Sequence, residues 1–147
     1  MHLDFLEALT TETAGVLAGA RCELSLNGLT ELSDSCALAL SQHRGPLRLK
    51  GLTGLTAESA AALGRHRGPL YLSGIRMLSP ECASGLSRHT GALYLTGLQH
   101  IENESAAALS AFSGPLYMRN LANLSPECRR VLLAKPGYQP RLSKAAT

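Results

Sequence analysis

An internal repeat of 23 residues limits the folds open to this sequence more strongly than any other property. Five segments align without a gap; they begin at Leu24, Leu47, Leu70, Leu93 and Leu116. Counting back 23 residues from Leu24 reaches Met1, where a degenerate first segment keeps its leucines in phase. Repeats of this length are typical of supersecondary units that bury their apolar side only by stacking on one another. We therefore predict one repeat domain over residues 1–138, with units one to six starting near 1, 24, 47, 70, 93 and 116 and a C-terminal tail over 139–147.

Each unit changes its hydrophobic periodicity once. The first half alternates, as at Leu47 and Leu49, which predicts a short strand with one buried face. The second half has the spacing of a three-turn helix. In unit four, Ser79 is the expected N-cap, Pro80 the first helical residue, and Gly91 the left-handed residue that ends the helix. A unit is therefore a strand, a tight bend, a helix and a turn.

The strand–helix–strand connection fixes the fold class. A connection of this size is a crossover, which gives parallel strands and right-handed winding. We predict an α/β fold: a right-handed β/α solenoid of about six 23-residue strand–helix repeats, with a parallel sheet on one face and helices on the other. Four columns of apolar residues form the expected core. They are Leu26, Leu49, Leu72, Leu95 and Met118; Leu29, Leu52, Ile75, Leu98 and Leu121; Leu32, Leu55, Leu78, Ile101 and Leu124; and Leu40, Leu63, Leu86, Leu109 and Leu132.

Composition narrows the function classes. Hydrophobic residues make up 45% and charged residues 17%, so a core is possible and disorder is not favoured. The net charge of +3 is too small for a dedicated nucleic-acid binder, so nucleic acid is disfavoured as a partner. No apolar run approaches the roughly 18 residues of a membrane span. The first residues carry Asp4, Glu7 and Glu12 instead of the basic region of a signal peptide.

Catalytic motifs are absent from the sequence. It contains no G-x-S-x-G, H-E-x-x-H or P-loop pattern, so we predict a chain that is not an enzyme and binds no cofactor. Acidic residues recur near each helix start, at Glu58, Glu81, Glu104 and Glu127, where capping and the helix dipole account for them.

Three of the four cysteines share one repeat position. Cys36, Cys82 and Cys128 lie two units apart, about 10 Å by strand spacing, whereas a disulfide needs Cα atoms within about 7 Å. We predict small, buried, reduced thiols that bind no metal, which favours a cytoplasmic location.

Three histidines share another position, one unit apart. His43, His66 and His89 are expected to pack at the helix C-termini, where a positive charge complements the dipole. A surface metal site built from two of them is the alternative.

The residues between the buried leucines of each strand predict a binding surface. One column reads Ser25, Arg48, Tyr71, Tyr94 and Tyr117, and the next reads Asn27, Lys50, Ser73, Thr96 and Arg119. Tyrosine and arginine are enriched at binding hot spots, while stacked aromatics also stabilise a sheet face, and both interpretations stand. The predicted partner-binding residues are Arg48, Lys50, Tyr71, Ser73, Tyr94, Thr96, Tyr117 and Arg119.

A strand opened by L-x-L, then a bend and a helix at a period of 23, resembles the leucine-rich repeats over nearly the whole chain. The spacing L-x-L-x-G-L-x-x-L is closest to bacterial BspA-like variants and differs from them by one residue in the bend. Leu29 and its equivalents stand where the common pattern has an asparagine ladder. The resemblance implies a curved solenoid that binds partners on its concave strand face.

The two ends of the repeat suggest a second function. In the last unit Asn120 replaces the bend glycine and Arg129 the column alanine, and the tail from residue 139 is expected to be draped or disordered. At the other end Phe5 replaces glycine. The leading hypothesis is a non-enzymatic scaffold that binds a protein partner through its strand face; the alternative is a structural module that forms homo-oligomers through its terminal repeats.

Overall fold

The structure is a computed structural model, and it describes residues 1–119, 124–135 and 138–140. Its helices are α1 (Thr11–Ala18), α2 (Asp34–Leu40), α3 (Ala57–Leu63), α4 (Pro80–Leu86), α5 (Asn103–Ser110) and α6 (Pro126–Leu133). Its strands are β1 (Leu24–Ser25), β2 (Leu47–Arg48), β3 (Leu70–Tyr71), β4 (Met77–Leu78), β5 (Leu93–Leu95), β6 (His100–Ile101), β7 (Leu116–Met118) and β8 (Tyr138–Pro140). None of the helices within these ranges is long and apolar enough to cross a membrane.

Six of the strands form one parallel sheet in the order β1-β2-β3-β5-β7-β8. From β1 to β7, every paired residue lies 23 positions from its partner, as in the pairing of Leu24 with Leu47. Strands β4 and β6 pair separately, also in parallel and with the same offset. The alternation of helices with parallel strands confirms the α/β prediction, and the register of the sheet equals the period of the sequence.

The core lies between the strands and the helices as one cluster of buried side chains. The described members of the first, second and fourth predicted columns are all buried. The third column is only partly buried, because Leu32, Leu55 and Ile101 keep some exposure where the chain approaches the helices. Leu121 and Asn120 lie outside the described residues, as does the tail after residue 140, whereas Gln139 and Pro140 belong to β8.

The helices begin as predicted and end earlier. Ser79 caps α4 by accepting a hydrogen bond from the Cys82 N–H, and Pro80 is its first residue. Thr10, Ser33, Thr56 and Ser125 cap their helices in the same way; α5 begins after Glu102, which makes no such bond. Each helix has seven or eight residues, which is two turns, so the prediction of three turns was wrong.

The glycines that follow α2 to α5 have a different role from the one predicted. No described glycine has a φ in the left-handed region, so Gly91 is not a left-handed helix terminus. Instead, a Cβ at Gly91 would lie 2.6 Å from the carbonyl oxygen of Gly68 in the preceding unit. The bend glycines are confined in the same way: a Cβ at Gly51 would lie 2.6 Å from the Leu29 oxygen and closer still to that of Asn27. Both columns need glycine because the backbones of neighbouring units meet there.

Candidate functional site

The three tyrosines of the predicted surface form a stack, which we call the tyrosine ladder: Tyr71, Tyr94 and Tyr117. They lie directly opposite one another in β3, β5 and β7. The ring centroids of Tyr71 and Tyr94 are 4.2 Å apart, those of Tyr94 and Tyr117 are 4.3 Å apart, and the planes deviate by 10° and 5°. All three side chains are half-buried, so the ladder presents aromatic surface to the solvent at a spacing set by the strands.

Arg48 ends the tyrosine ladder on the β2 side. Its guanidinium lies over the Tyr71 ring, 4.7 Å from the centroid, which is within the range of a cation–π interaction. Its Nε atom lies 2.6 Å from a carboxylate oxygen of Glu23. Glu23 ends unit one, where units two, three and four end in Pro46, Pro69 and Ala92, and this change in the repeat is the signal that could have predicted the pair. Arg48 is therefore held in place and its charge is balanced.

The second column runs beside the tyrosine ladder. Thr96 donates a hydrogen bond of 2.9 Å from its hydroxyl to that of Ser73, which joins β3 and β5 at this column. Lys50 and Arg119 are exposed and bracket this pair along the sheet. The structure thus places all eight predicted residues on one surface: a half-exposed aromatic stack with an exposed cation near each end.

A hydrogen-bonded cluster closes the surface beside β1. The carboxylate of Asp4 accepts bonds from the Ser25 hydroxyl at 2.6 Å and from the Asn27 N–H at 2.9 Å. Both bonds stabilise the charged carboxylate and so lower the pKa of Asp4; the bond from Ser25 has the larger effect. The Asn27 side chain in turn accepts from the Lys50 N–H at 3.1 Å, so it links β1's unit to the next. Polar bonds replace aromatic stacking at this end.

The cysteine column is buried, as predicted, and it also makes hydrogen bonds that were not predicted. Cys36, Cys82 and Cys128 alternate with Ser59 and Ser105, and each side chain donates to a backbone carbonyl 27 residues earlier, in the preceding unit. The Cys82 thiol, for example, lies 3.2 Å from the Leu55 oxygen. The alternation of cysteine with serine is the sequence signal for these bonds, because a thiol and a hydroxyl can each donate a hydrogen bond and alanine cannot. All four cysteines of the chain are free.

The histidine column is buried, which contradicts its predicted role at the helix dipole. His43, His66 and His89 lie beyond the helix ends and stack at centroid distances of 6.0 and 5.9 Å. Both ring nitrogens of each lack a hydrogen-bond partner of normal geometry. Burial, with smaller effects from His89 and His43, lowers the pKa of His66 to about 4, so this ring is neutral at pH 7 and cannot complement a dipole.

Two other residues complete the histidine column. The Phe112 ring stacks on that of His89, and the Lys135 ammonium lies 4.8 Å from the Phe112 centroid while donating to the Gly114 carbonyl at 2.9 Å. Burial lowers the pKa of Lys135. Phe112 continues the stack without a titratable group, so the flat ring that histidine and phenylalanine share explains the repetition better than imidazole chemistry does. Within the described ranges, no three His, Cys, Asp or Glu side chains converge as a metal site.

No protein-family model matches this chain, and no curated protein matches its sequence.

An apolar cleft of about 470 Å³ lies apart from the tyrosine ladder, on the segments that precede the helices. It is lined by Leu55, Leu78 and Ile101 and by Met77, which is 68% exposed. Gly54 lines it without a side chain, where the neighbouring units have Glu31 and Met77. The missing side chain opens the cleft.

Proposed function

We propose that this chain is a non-enzymatic binding scaffold of the leucine-rich-repeat type, a right-handed solenoid that engages a protein partner through its strand surface. The tyrosine ladder is the observation that carries the proposal. Three stacked rings give a rigid aromatic surface that loses little conformational freedom on binding, and such residues dominate binding energies at interfaces. The register of 23 residues from β1 to β7 supports the solenoid, because one repeated unit then accounts for the whole sheet.

The charges around the tyrosine ladder indicate the chemistry of the partner. Lys50 and Arg119 are exposed, whereas Arg48 is balanced by Glu23. The partner should therefore present an apolar or aromatic patch to the rings and carboxylates to the two outer cations. We also propose a cytoplasmic location, because thiols of the cysteine column act as hydrogen-bond donors, a role that oxidation would end.

Capture of partners from a lysate of the chain's own host tests this proposal. We expect Tyr94→Ala, and separately the double variant Lys50→Glu with Arg119→Glu, to lose proteins that the unaltered chain retains. Arg88→Glu is the matched control, since it reverses an exposed charge outside the strand surface. Circular dichroism establishes that each variant is folded. Equal capture by all four chains would show that the strand surface is not the binding site.

The alternative, assembly through terminal repeats, meets two obstacles at the ends of the sheet. Phe5 occupies the bend position where Gly28, Gly51 and Gly74 have no room for a Cβ against the preceding unit. Phe5 is 74% exposed, and a second copy stacked there in register would collide with it. At the other end β8 already pairs with β7. Light scattering at increasing protein concentration distinguishes the alternatives: a constant monomer mass favours the scaffold, and a rising mass favours assembly.

A further inference from the structure

Arginines are concentrated in the turns that follow the first four helices. Arg21, Arg44 and Arg67 share one repeat position in adjacent units, and Arg65 and Arg88 share a second position two residues earlier in the repeat. All five side chains are exposed. Their surface lies at the C-terminal ends of the helices, away from the tyrosine ladder, and the proposed function does not use it.

The fold forces these side chains outward. In the sequence Arg65–His66–Arg67 the central ring is buried in the histidine column, so its two neighbours point to the solvent. The next residue, Gly68, is pressed against the backbone of Gly45 in the preceding unit. The backbone of this turn is therefore held in place at His66 and at Gly68, and the arginines extend from a well-fixed backbone.

Three of the arginines converge on one polar cavity of about 280 Å³. Arg44, Arg65 and Arg67 line it together with Ser41, Gln42 and His43, and this lining contains no carboxylate. Arg44 and Arg67 come from adjacent units, whose backbones are about 5 Å apart by strand spacing. Three positive charges that line one cavity repel one another, and an anion between them would offset the repulsion.

His43 is the buried residue of this lining. It lines the same cavity, is 1% exposed, and has no hydrogen-bond partner of normal geometry at either ring nitrogen. Both ring nitrogens are shielded from the cavity as well as from solvent, so the charge of the lining comes from the three arginines. His66 and His89 also lack partners, but they do not line this cavity.

The helix dipole does not explain this arrangement. No described helix from α1 to α5 has a basic residue in its last turn, and the five arginines lie beyond those turns. After α5 the two equivalent positions hold Ala111 and Ser113, although that helix has the same polarity. A dipole effect would recur in every unit.

We propose that Arg44, Arg65 and Arg67, with Ser41, Gln42 and His43, form a binding pocket for a phosphomonoester dianion. The guanidinium fork matches two phosphate oxygens at a time, and three forks suit a dianion better than a singly charged diester. An adjoining groove of about 450 Å³ shares Gln42 and Arg44 and is lined also by Arg21. This groove gives room for the group that carries the phosphate.

Isothermal titration with inorganic phosphate tests the pocket. We expect saturable binding to the full chain, and a loss of ~10-fold or more in affinity for Arg65→Gln and for Arg67→Gln. Arg88→Gln removes the same charge on the same surface but outside the pocket, so its affinity should stay within about 3-fold of the unaltered chain. The absence of saturable binding would overturn the pocket. So would an equal loss of affinity in Arg88→Gln, because it would mean that phosphate responds to the total positive charge of this surface and not to a particular site.

Two further probes define the ligand class. Phosphoserine should bind at least as tightly as inorganic phosphate if the groove accepts the group that carries the phosphate. Dimethyl phosphate, a singly charged diester, should bind more weakly than either. Dimethyl phosphate binding as tightly as phosphate would overturn the assignment to a dianion, and exclusion of phosphoserine would overturn the role of the groove.

Discussion

At the scale of single residues, the buried His66 predicts how the free energy of unfolding depends on pH. Its pKa is about 4 in the fold against about 6.5 when unfolded, so between these values the unfolded chain binds a proton that the folded chain does not. The free energy of unfolding should therefore fall as the pH falls from 7 to 4, by on the order of 3 kcal/mol from His66. Urea denaturation at a series of pH values measures this loss.

A matched variant distinguishes the contribution of His66 to the pH dependence of stability from that of other groups that titrate in acid. His66→Phe places at this position the ring that Phe112 already provides two units later, so the fold should be retained. The variant should lose stability less steeply from pH 7 to 4, with the remaining slope due partly to His89, whose pKa burial also lowers. Hydrogen bonds lower the pKa of Asp4 and Asp34 in the fold, so their stabilising effect is lost mainly as the pH falls below this window. An unchanged slope would contradict the assignment to His66.

Two glycines of one unit should respond oppositely to the same substitution. Gly51→Ala puts a Cβ against the carbonyl oxygens of Asn27 and Leu29, which are backbone atoms that cannot turn aside. We expect a loss of roughly 3 kcal/mol or more in the free energy of unfolding. Gly54→Ala meets nothing within 4 Å and has an ordinary φ, so the smaller entropy of the unfolded chain should make it neutral or slightly stabilising. Denaturant midpoints compare the two, and equal losses would be the contrary result.

At the scale of elements, the cysteine column predicts which side chains can replace one another. Cys82→Ser should keep the hydrogen bond to the Leu55 carbonyl, since Ser59 and Ser105 make the equivalent bonds in the neighbouring units. Cys82→Ala removes the donor and leaves a carbonyl at the junction of α4 with the preceding unit. It should cost about 1 kcal/mol more than Cys82→Ser. Chemical denaturation of both variants gives the difference, and alanine equal to serine would show that volume alone matters.

The elements differ in how far the sequence predicts them. The strands and their parallel pairing could be predicted, because L-x-L recurs at a fixed interval and a crossover permits one direction. The start of α4 could be predicted from Ser79 and Pro80, whose chemistry is local. The end of the helix could not, because Gly91 is required by contact with Gly68 in another unit and not by its own φ.

The same distinction applies to the candidate site. The alignment of Tyr71, Tyr94 and Tyr117 follows from the period alone. The pairing of Arg48 with Glu23 depends on side-chain reach, and the burial of His66 depends on the packing of neighbouring turns. The period shows which residues are aligned along the molecule; it does not show how closely the backbones of neighbouring units approach, nor which side chains that approach buries.

At the scale of the whole molecule, each unit packs mainly on its two neighbours. Helices α1 to α6 contact one another in sequence order, and the sheet from β1 to β7 follows the order of the units. The tyrosine ladder, the histidine column and the cysteine column each extend along the molecule by one residue per unit. Stability should then be close to a sum of units and of the interfaces between them.

This additivity predicts that a whole extra unit can be inserted. A second copy of residues 70–92, placed directly after residue 92, adds one tyrosine to the ladder, one histidine to its column and one glycine at each close contact. We expect helical content per residue to be unchanged by circular dichroism and the melting temperature to be equal or higher. Insertion of residues 70–80 alone is the control: it displaces every later leucine from its column and should lower the melting temperature steeply. If both insertions were equally disruptive, the units would not be interchangeable, and the solenoid interpretation would lose its main support.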